Sequence, residues 1–316
     1  MNIDEIHAAA ARAAGHVRRT PMLTSPFLDE IAGRRIWVKA ECLQHTGSFK
    51  FRGAWSAVSS LSDEEREKGI FASSSGNHAQ AIALAARMHG AVAVILMPSD
   101  APKLKIANTE ALGAEVVLYD RETEDREVLA PRLATQRQLT FIPPFDHPMV
   151  IAGQGTCGLE IDEQAPEGAD LLVCCSGGGL TSGIALALEG TGRRIHPVEP
   201  EGFDDVARSL ISGTRERNDR TSGSICDAII TPQAGELTWS IIQRLCAPGI
   251  VVTEEEALRA MALAWLRLKI VVEPGGAVAL AAALFHGDEI EGDDVALTVS
   301  GGNVDADIFR RALDTL

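Results

Sequence analysis

Three short polar segments that contain glycine each follow a run of apolar residues. They lie at 73–78 (SSSGNH), 176–180 (SGGGL) and 300–303 (SGGN). Ligands of open α/β sheets bind outside the carboxyl ends of the strands, so the three segments predict one shared crevice. Glycine lets the backbone approach a ligand closely, and free backbone N–H groups at a helix start favour a phosphate.

A lysine follows a fourth segment that contains glycine, at 46–53 (TGSFKFRG). Most lysines are solvated surface charges, so Lys50 alone would indicate little. Its neighbours Phe49 and Phe51 predict partial burial, which lowers the pKa of an amine and makes it a better nucleophile toward an aldehyde. Lys50 is therefore the candidate nucleophile.

The segment 176–180 has two other interpretations. One is a tight strand-to-helix turn without a ligand, since glycine is the usual residue of such turns. The other is a dinucleotide fingerprint of an NAD-dependent dehydrogenase, because Glu199 ends the next strand about 20 residues further on. The glycine spacing argues against it: a frame that starts at Gly177 reaches Ser182 at its third glycine. The dehydrogenase hypothesis is weakened but stays open.

Taken together, the motifs resemble the threonine dehydratase and serine racemase family of fold-type-II pyridoxal-phosphate (PLP) enzymes. The resemblance spans nearly the whole chain and keeps its order. The matching segments are 20–23 (TPML), 39–43 (KAECL), 47–54 (GSFKFRGA), 74–80 (SSGNHAQ), 152–156 (AGQGT), 176–180 and 300–305 (SGGNVD). It implies an α/β, two-domain fold like that of the tryptophan synthase β chain.

The resemblance implies a role for each matching residue. Lys50 would carry the cofactor covalently and act as a catalytic base. The other cofactor-binding residues would be Phe49, Asn77 at the phenolic oxygen, Ser176, Gly177, Gly178, Gly179 and Leu180 at the phosphate, and Ser300 at the pyridine nitrogen. The substrate carboxylate would meet Ser74, Ser75, Asn77 and His78. Ser176 is a departure, because many relatives have a fourth glycine there.

The implied reaction is the deaminating dehydration of a small β-hydroxy-amino acid such as L-threonine or L-serine, giving a 2-oxo acid and ammonia. Ser75 would lie on the cofactor face opposite Lys50 and add a minor racemase activity. The alternatives left open are a 3-hydroxyaspartate dehydratase, a serine racemase and a ligand-binding protein without catalysis.

A metal site is also implied by the resemblance. Glu199, Phe203 and Asp205 match positions at which relatives bind Mg²⁺ or Ca²⁺ through two carboxylates and a backbone carbonyl. Hard divalent cations prefer oxygen ligands, so the residue types suit them. The alternative is an acidic loop in contact with water.

Charge and hydropathy limit the partners. The 316 residues carry a formal net charge of −15, which argues against nucleic acid or an anionic membrane as a partner. The longest apolar runs, 91–97 and 277–285, are shorter than the about 20 residues that a membrane-spanning helix needs. The first 20 residues lack the apolar core of a signal peptide, so we expect a cytoplasmic protein.

Six cysteines without metal-ligand spacing predict buried, reduced thiols. Relatives of this length indicate a homodimer.

The elements that position these residues follow from the apolar pattern. Short apolar runs alternate with helix-length segments, which predicts parallel-rich twisted sheets covered by helices. Strands are predicted at 35–39, 70–72, 91–96, 115–118, 171–175, 195–198, 250–253 and 295–299. Asn77 is predicted to cap one helix, and Thr253 with Glu256 to form a capping box before another at 257–268. We expect a large PLP-binding domain at 1–68 and 147–316. A small mobile domain is expected at 69–146, and the loop for the substrate carboxylate lies at its start.

Overall fold

The computed structural model describes residues 1–74, 76–101, 103–120 and 122–316. Ser75, the predicted second catalytic residue, therefore lies outside the described residues. All eight predicted strands are present, with shifts of at most two residues at their ends. The strands are β1 Met22–Leu23, β2 Arg35–Ala40, β3 Ile70–Ser73, β4 Ala93–Pro98, β5 Glu115–Tyr119, β6 Thr140–Phe141, β7 Asp170–Cys174, β8 Ile195–Pro200, β9 Ile250–Val252 and β10 Asp294–Val299.

The strands form two sheets. The larger has the order β1-β2-β10-β7-β8-β9, and all of its pairs are parallel except β1 with β2. The smaller has the order β5-β4-β3-β6 and is parallel throughout. Its four strands all fall within 69–146, the segment predicted as the small domain. The division into two domains and the mobility of the smaller one stay predictions.

Helices separate the strands, as the alternation of patterns predicted. They are α1 Ile3–Ala13, α2 Pro26–Ala32, α3 Lys50–Ser59, α4 Asp63–Lys68, α5 Asn77–Met88, α6 Lys103–Ala111, α7 Arg126–Gln136, α8 Pro148–Gln164, α9 Gly179–Ala187, α10 Asp205–Ser212, α11 Glu236–Leu245, α12 Glu254–Leu263, α13 Pro274–Phe285 and α14 Ala306–Leu313. A π-helical turn, Ala264–Leu268, continues α12. Among the described residues no helix is long and apolar enough to cross a membrane.

Both faces of the larger sheet are buried. One face packs on α12 and α13, and the other on α8 and α9, where Leu171 and Val173 of β7 meet Cys157, Ile161 and Ile184. Burial on both faces explains why these strands are almost continuously apolar. The smaller sheet packs α3 and α5 on one face and α7 on the other. The fold-class prediction is confirmed.

Of the three predictions about helix caps and cysteines, two are also confirmed. The side chains of Thr253 and Glu256 form the expected capping box at the start of α12. All six cysteines are free and five are buried. The cap predicted for Asn77 is wrong. Gly76 occupies the position before the first turn of α5, and the Asn77 side chain is instead bonded to residues far away in the sequence.

Candidate active site

The segment that carries Lys50 lies directly beside the segment that follows β10. The backbone N–H of Phe49 donates to the carbonyl of Ser300 at 3.0 Å, and Ser48 forms an antiparallel bridge with Gly301. The α3 helix begins at Lys50. Two of the predicted cofactor contacts, Lys50 and Ser300, are thus brought together by backbone pairing of two loops that are 250 residues apart.

The Lys50 amine is held in a partly buried position. Its Nζ donates to the carbonyl of Pro144 at 2.8 Å and lies 5.0 Å from the centre of the Phe49 ring. Burial lowers the pKa of Lys50 to about 8, and the nearby Glu273 carboxylate only partly opposes this. An amine with such a pKa is available in its neutral, nucleophilic form near neutral pH. The depressed pKa expected from the flanking phenylalanines is confirmed.

The glycine loop, residues 176–180, connects β7 to α9. Gly178 has φ +88°, a conformation that L side chains rarely adopt, and a Cβ atom on Gly177 would lie 2.5 Å from the Phe145 ring. The backbone N–H groups of Gly177, Gly178 and Gly179 donate to no protein acceptor in the part of the chain that is described. Free N–H groups at the start of a helix form a site for an anion such as phosphate.

The segment 144–146 joins the glycine loop to Lys50. Pro144 accepts the Lys50 hydrogen bond, and the next residue, Phe145, packs against Gly177 and Gly179. Asp146 in turn accepts hydrogen bonds from three backbone N–H groups at the start of α11. The lysine and the candidate phosphate site therefore lie on two sides of one fixed segment.

The predicted carboxylate loop precedes α5. The backbone N–H of Ser74 donates to the carbonyl of Leu96, and the Ser74 hydroxyl oxygen accepts a hydrogen bond from the N–H of Gly76 at 3.2 Å. The His78 imidazole turns away into the protein and contacts the carbonyl of Ile142 at 3.0 Å through Nε2. Burial, with a further contribution from the Lys50 charge, lowers the pKa of His78 to about 3, so the ring is neutral. Because a carbonyl only accepts, Nε2 carries the ring proton.

The Asn77 side chain is fixed from two directions. Its Nδ2 donates to Glu273 Oε1 at 2.7 Å, and its Oδ1 accepts from Asn303 Nδ2 at 2.7 Å. Asn303 Nδ2 also donates to the carbonyl of Thr46. Since that carbonyl can only accept, the series of bonds has one direction, and one N–H of Asn77 has no acceptor among the residues that the structure describes. Neither Glu273 nor Asn303 was predicted as a site residue.

Glu273 is a buried carboxylate beside these groups. Burial raises its pKa to about 7; Asp227 adds to the rise, and the hydrogen bond from Asn77 and the charges of Lys105 and Lys50 oppose it. Its backbone N–H donates to the carbonyl of Gly301 at 3.0 Å. A Cβ atom on Gly301 would lie 2.0 Å from Glu273 Oε1, so glycine is needed at 301 for this carboxylate to reach Asn77.

Two buried hydroxyl groups next to the predicted site segments have no hydrogen-bond partner within the described residues. They are Ser48 Oγ, beside Gly301, and Ser73 Oγ, at the end of β3. A buried polar atom without a partner costs free energy, which a polar ligand can offset. Together with the free N–H groups of the glycine loop and the Lys50 amine, these hydroxyls suit a cofactor that carries an aldehyde and a phosphate.

The three predicted metal ligands lie between the end of β8 and the start of α10. Glu199 is fully buried and accepts from the N–H groups of Val206 and Ala207, at 3.3 and 2.8 Å. Asp205 is also buried. Burial raises the pKa of both carboxylates, and the charge of Asp205 raises that of Glu199 further. Two adjacent buried carboxylates with oxygen donors suit a hard divalent cation. The described residues contain no cluster of three or more His, Cys, Asp or Glu around a metal position.

Comparisons with known proteins identify the family of this chain. A family model described as pyridoxal-phosphate dependent enzyme matches residues 13–301. L-threo-3-hydroxyaspartate ammonia-lyase of Saccharomyces cerevisiae is 44% identical over 299 residues, which cover 94% of this chain and 91% of that protein. Maize serine racemase has a TM-score of 0.93 at 38% identity, covering 99% of this chain and 97% of that one. A threonine deaminase from T.th. has a TM-score of 0.90 at 42% identity, covering 96% and 99%. The predicted family resemblance is confirmed.

Proposed function

This chain belongs to the family of pyridoxal-phosphate dependent enzymes, and on that premise we propose that it is a deaminating dehydratase of a small β-hydroxy-amino acid. The products are a 2-oxo acid and ammonia. The observation that carries the proposal is the Lys50 amine, whose lowered pKa and fixed position beside the glycine loop suit a covalent cofactor contact and a base. The relatives named ammonia-lyase or deaminase support the reaction class.

Different residues of the candidate site would bind different parts of the cofactor. Lys50 would hold the cofactor through its aldehyde carbon, and the glycine loop, 176–180, would donate backbone N–H groups to its phosphate. Asn77 would donate to the phenolic oxygen, Ser300 would bind the pyridine nitrogen, and Phe49 would contact the cofactor. When bound, PLP supplies the electron sink that makes the Cα–H bond of an amino acid acidic.

Lys50 acts as the base that takes the Cα proton. A general base works best when its pKa lies near the working pH, and the Lys50 pKa of about 8 meets that condition. The Pro144 carbonyl holds Nζ in place through a single hydrogen bond, which is weak enough to release when the amine turns toward a substrate.

The start of α5 binds the substrate carboxylate. The Ser74 hydroxyl and the backbone N–H groups of Asn77 and His78 are the donors, since the helix start favours negative charge there. The His78 imidazole contributes through packing, because Nε2 is bonded to Ile142. Ser75 is proposed to lie on the face opposite Lys50 and to act as a second acid-base group, which gives a minor racemase activity.

Glu273 and Asn303 orient the Asn77 amide. With its oxygen bonded to Asn303 and one N–H bonded to Glu273, only one N–H of Asn77 is left for the cofactor. An amide that is fixed before the cofactor binds needs no reorganisation at the moment of reaction. Glu273 also stabilises the ammonium form of Lys50 through its charge.

The carboxylates of Glu199 and Asp205 are proposed to bind Mg²⁺ or Ca²⁺, with the Phe203 carbonyl as a third ligand. A divalent cation would relieve the repulsion between two buried negative charges, which is the physical reason to expect one. A cation that binds only the native state would also raise the free energy of unfolding.

A substrate panel tests the proposed function. Keto-acid and ammonia release is measured with L-threonine, L-serine, D-serine, L-threo-3-hydroxyaspartate and a bulkier β-hydroxy-amino acid. We expect L-threonine or L-serine to be turned over. The second candidate substrate is 3-hydroxyaspartate, which the 44% identical relative favours. A protein that binds PLP and turns over no member of the panel would support the ligand-binding alternative. A protein that binds NAD and not PLP would support the dehydrogenase.

A further inference from the structure

The connection from β6 to α8, residues 142–147, passes beside Lys50 without regular secondary structure. It supplies the Pro144 carbonyl, which is the acceptor of the Lys50 amine, so its position decides where that amine lies. Its backbone does little to hold it. Proline has no N–H, and the N–H groups of Phe145 and Asp146 donate to no acceptor in the part of the chain that the structure describes. Side chains must therefore fix this connection.

The Asp146 carboxylate binds the connection to the start of α11. Its Oδ1 accepts from the N–H groups of Leu237 and Thr238, at 3.0 and 3.1 Å, and its Oδ2 accepts from that of Glu236 at 3.0 Å. A helix leaves its first N–H groups without an intrahelical partner, and its dipole favours a negative charge at that end. Hydrogen bonds to a charged acceptor are stronger than neutral ones, so both oxygens are firmly held.

A glycine before α11 makes this contact possible. A Cβ atom on Gly235 would lie 2.3 Å from Asp146 Cγ, which is closer than such atoms approach. Gly235 has φ −65° and ψ 162°, angles that alanine adopts without strain. The requirement for glycine therefore comes from the carboxylate and not from the backbone.

The start of α11 also holds the glycine loop. The N–H of Gly235 and the hydroxyl of Thr238 both donate to the carbonyl of Gly177, at 3.2 and 2.7 Å. Thr238 is fully buried, so water does not compete for its bond. Gly177 is also packed against the ring of Phe145. The acceptor of the Lys50 amine and the first part of the candidate phosphate site are therefore fixed on one helix start.

We propose that Asp146 is a positioning residue, which holds the Lys50 amine at its working distance from the glycine loop. It acts through Pro144, two residues before it, and through the start of α11. Without the carboxylate the connection is free to move, and the Pro144 carbonyl moves the amine with it. The proposal deepens the proposed function and rests on it for the identity of the cofactor and for the role of Lys50 as the base.

The test uses the full chain freed of PLP. The rate at which Lys50 captures PLP is followed by the absorbance of the bound cofactor, and kcat and KM are measured on the preferred substrate. Asp146→Ala removes all three hydrogen bonds, and since a displacement of about 1 Å costs on the order of 100-fold, capture and kcat should each fall roughly 10- to 100-fold. The KM should change less than about threefold, because the proposed site of the substrate carboxylate is on α5. Asp146→Asn keeps an oxygen acceptor at the helix start and should recover most of both rates.

Two further variants separate positioning from helix stability. Gly235→Ala crowds the carboxylate from the side of α11 and should slow capture, with little added effect when it is combined with Asp146→Ala. Thr253→Ala removes the side-chain cap at the start of α12 and is the matched control. It should lower the thermal midpoint of unfolding and leave the capture rate at the wild-type value.

Three results would overturn the positioning role. They are an Asp146→Ala variant that captures PLP at the wild-type rate, a Thr253→Ala variant that slows capture as much as Asp146→Ala does, and a Gly235→Ala variant with unchanged capture. If Asp146→Ala does not fold, Gly235→Ala decides. Capture needs no turnover, so it is measured whether or not a hydroxy-amino acid is a substrate. A failure of the proposed activity is therefore distinguished from a failure of the positioning role.

Discussion

Gly301→Ala should impair the active site by crowding the Glu273 carboxylate, and the added Cβ would also lie 3.2 Å from Asn77 Nδ2. The added Cβ would stand 2.0 Å from Glu273 Oε1, where side chains do not approach below 3.0 Å, so the carboxylate must retreat by about 1 Å. Gly301 has no left-handed backbone angle, so alanine is tolerated by the chain itself. Retreat breaks the 2.7 Å bond to Asn77. A hydrogen bond to a charged group contributes about 1.5–3 kcal/mol, and each 1.4 kcal/mol is tenfold, so kcat/KM should fall roughly 10- to 100-fold.

The assay for Gly301→Ala is steady-state elimination of the preferred substrate, with the absorption of bound cofactor and the thermal midpoint measured on the same samples. Gly287→Ala is the matched control, because its Cβ would make only an ordinary 3.5 Å contact with Arg34. A Gly301→Ala enzyme with wild-type kcat/KM and an unchanged cofactor spectrum would refute the role given to Glu273. A loss of thermal stability without a spectral change would also refute it.

Three further predictions concern the metal pair, the buried ion pair and the second face of the cofactor. Chelation of divalent cations should lower the thermal midpoint of unfolding, and Glu199→Ala or Asp205→Ala should do the same. If chelation leaves the midpoint unchanged and elemental analysis finds no metal, neither residue is a metal ligand. Arg52→Met leaves Glu41 buried without its partner and should cost about 3–5 kcal/mol in urea unfolding. Burial raises the pKa of Glu41, but the charge and hydrogen bond of Arg52 outweigh burial, and the pKa is lowered overall. The ion pair therefore stabilises the fold fully at a pH above the pKa of Glu41 in the unfolded chain. This stabilisation is lost as the pH falls through the lower pKa of Glu41 in the folded chain. The wild type should therefore lose more stability than Arg52→Met between neutral and acidic pH. Ser75→Ala should abolish serine racemisation and elimination from D-serine while elimination from the L-substrate persists; a parallel loss of all three would make Ser75 a binding residue.

The strands that form the crevice were predictable because each is a continuous apolar run followed by glycine and serine. Burial on both faces of a parallel sheet produces that pattern, and the turns after the strands need small residues. The two missed strands, β1 and β6, have two residues each, too short for any period to appear. The residue pattern indicated a nucleophile at Lys50 and an anion site at the glycine loop, and the family resemblance identified PLP as their ligand.

Glu273 escaped prediction because its importance comes from tertiary contacts. It precedes Pro274 at the start of α13, where an acidic residue is ordinarily a surface charge near a helix start. Only the folded chain shows that Gly301 makes room for it and that Asn77 is its partner. The apolar run before it, Ile270 to Val272, is only partly buried, since Val271 is 45% exposed, so it gave no clear signal that the carboxylate that follows is inside. Asn77 was assigned to a cap for a related reason: caps are local, and its true partners lie 196 and 226 positions away.

The central claim is that Lys50 holds the cofactor, and borohydride reduction followed by peptide mapping tests it most directly. Reduction fixes PLP irreversibly to the lysine that carries it, and proteolysis with mass spectrometry identifies that residue. We expect the label on the peptide that contains Lys50 and no label in Lys50→Ala, which should also lose all elimination activity. Label on another lysine of the wild type, or a Lys50→Ala protein that is still labelled and active, would contradict the claim.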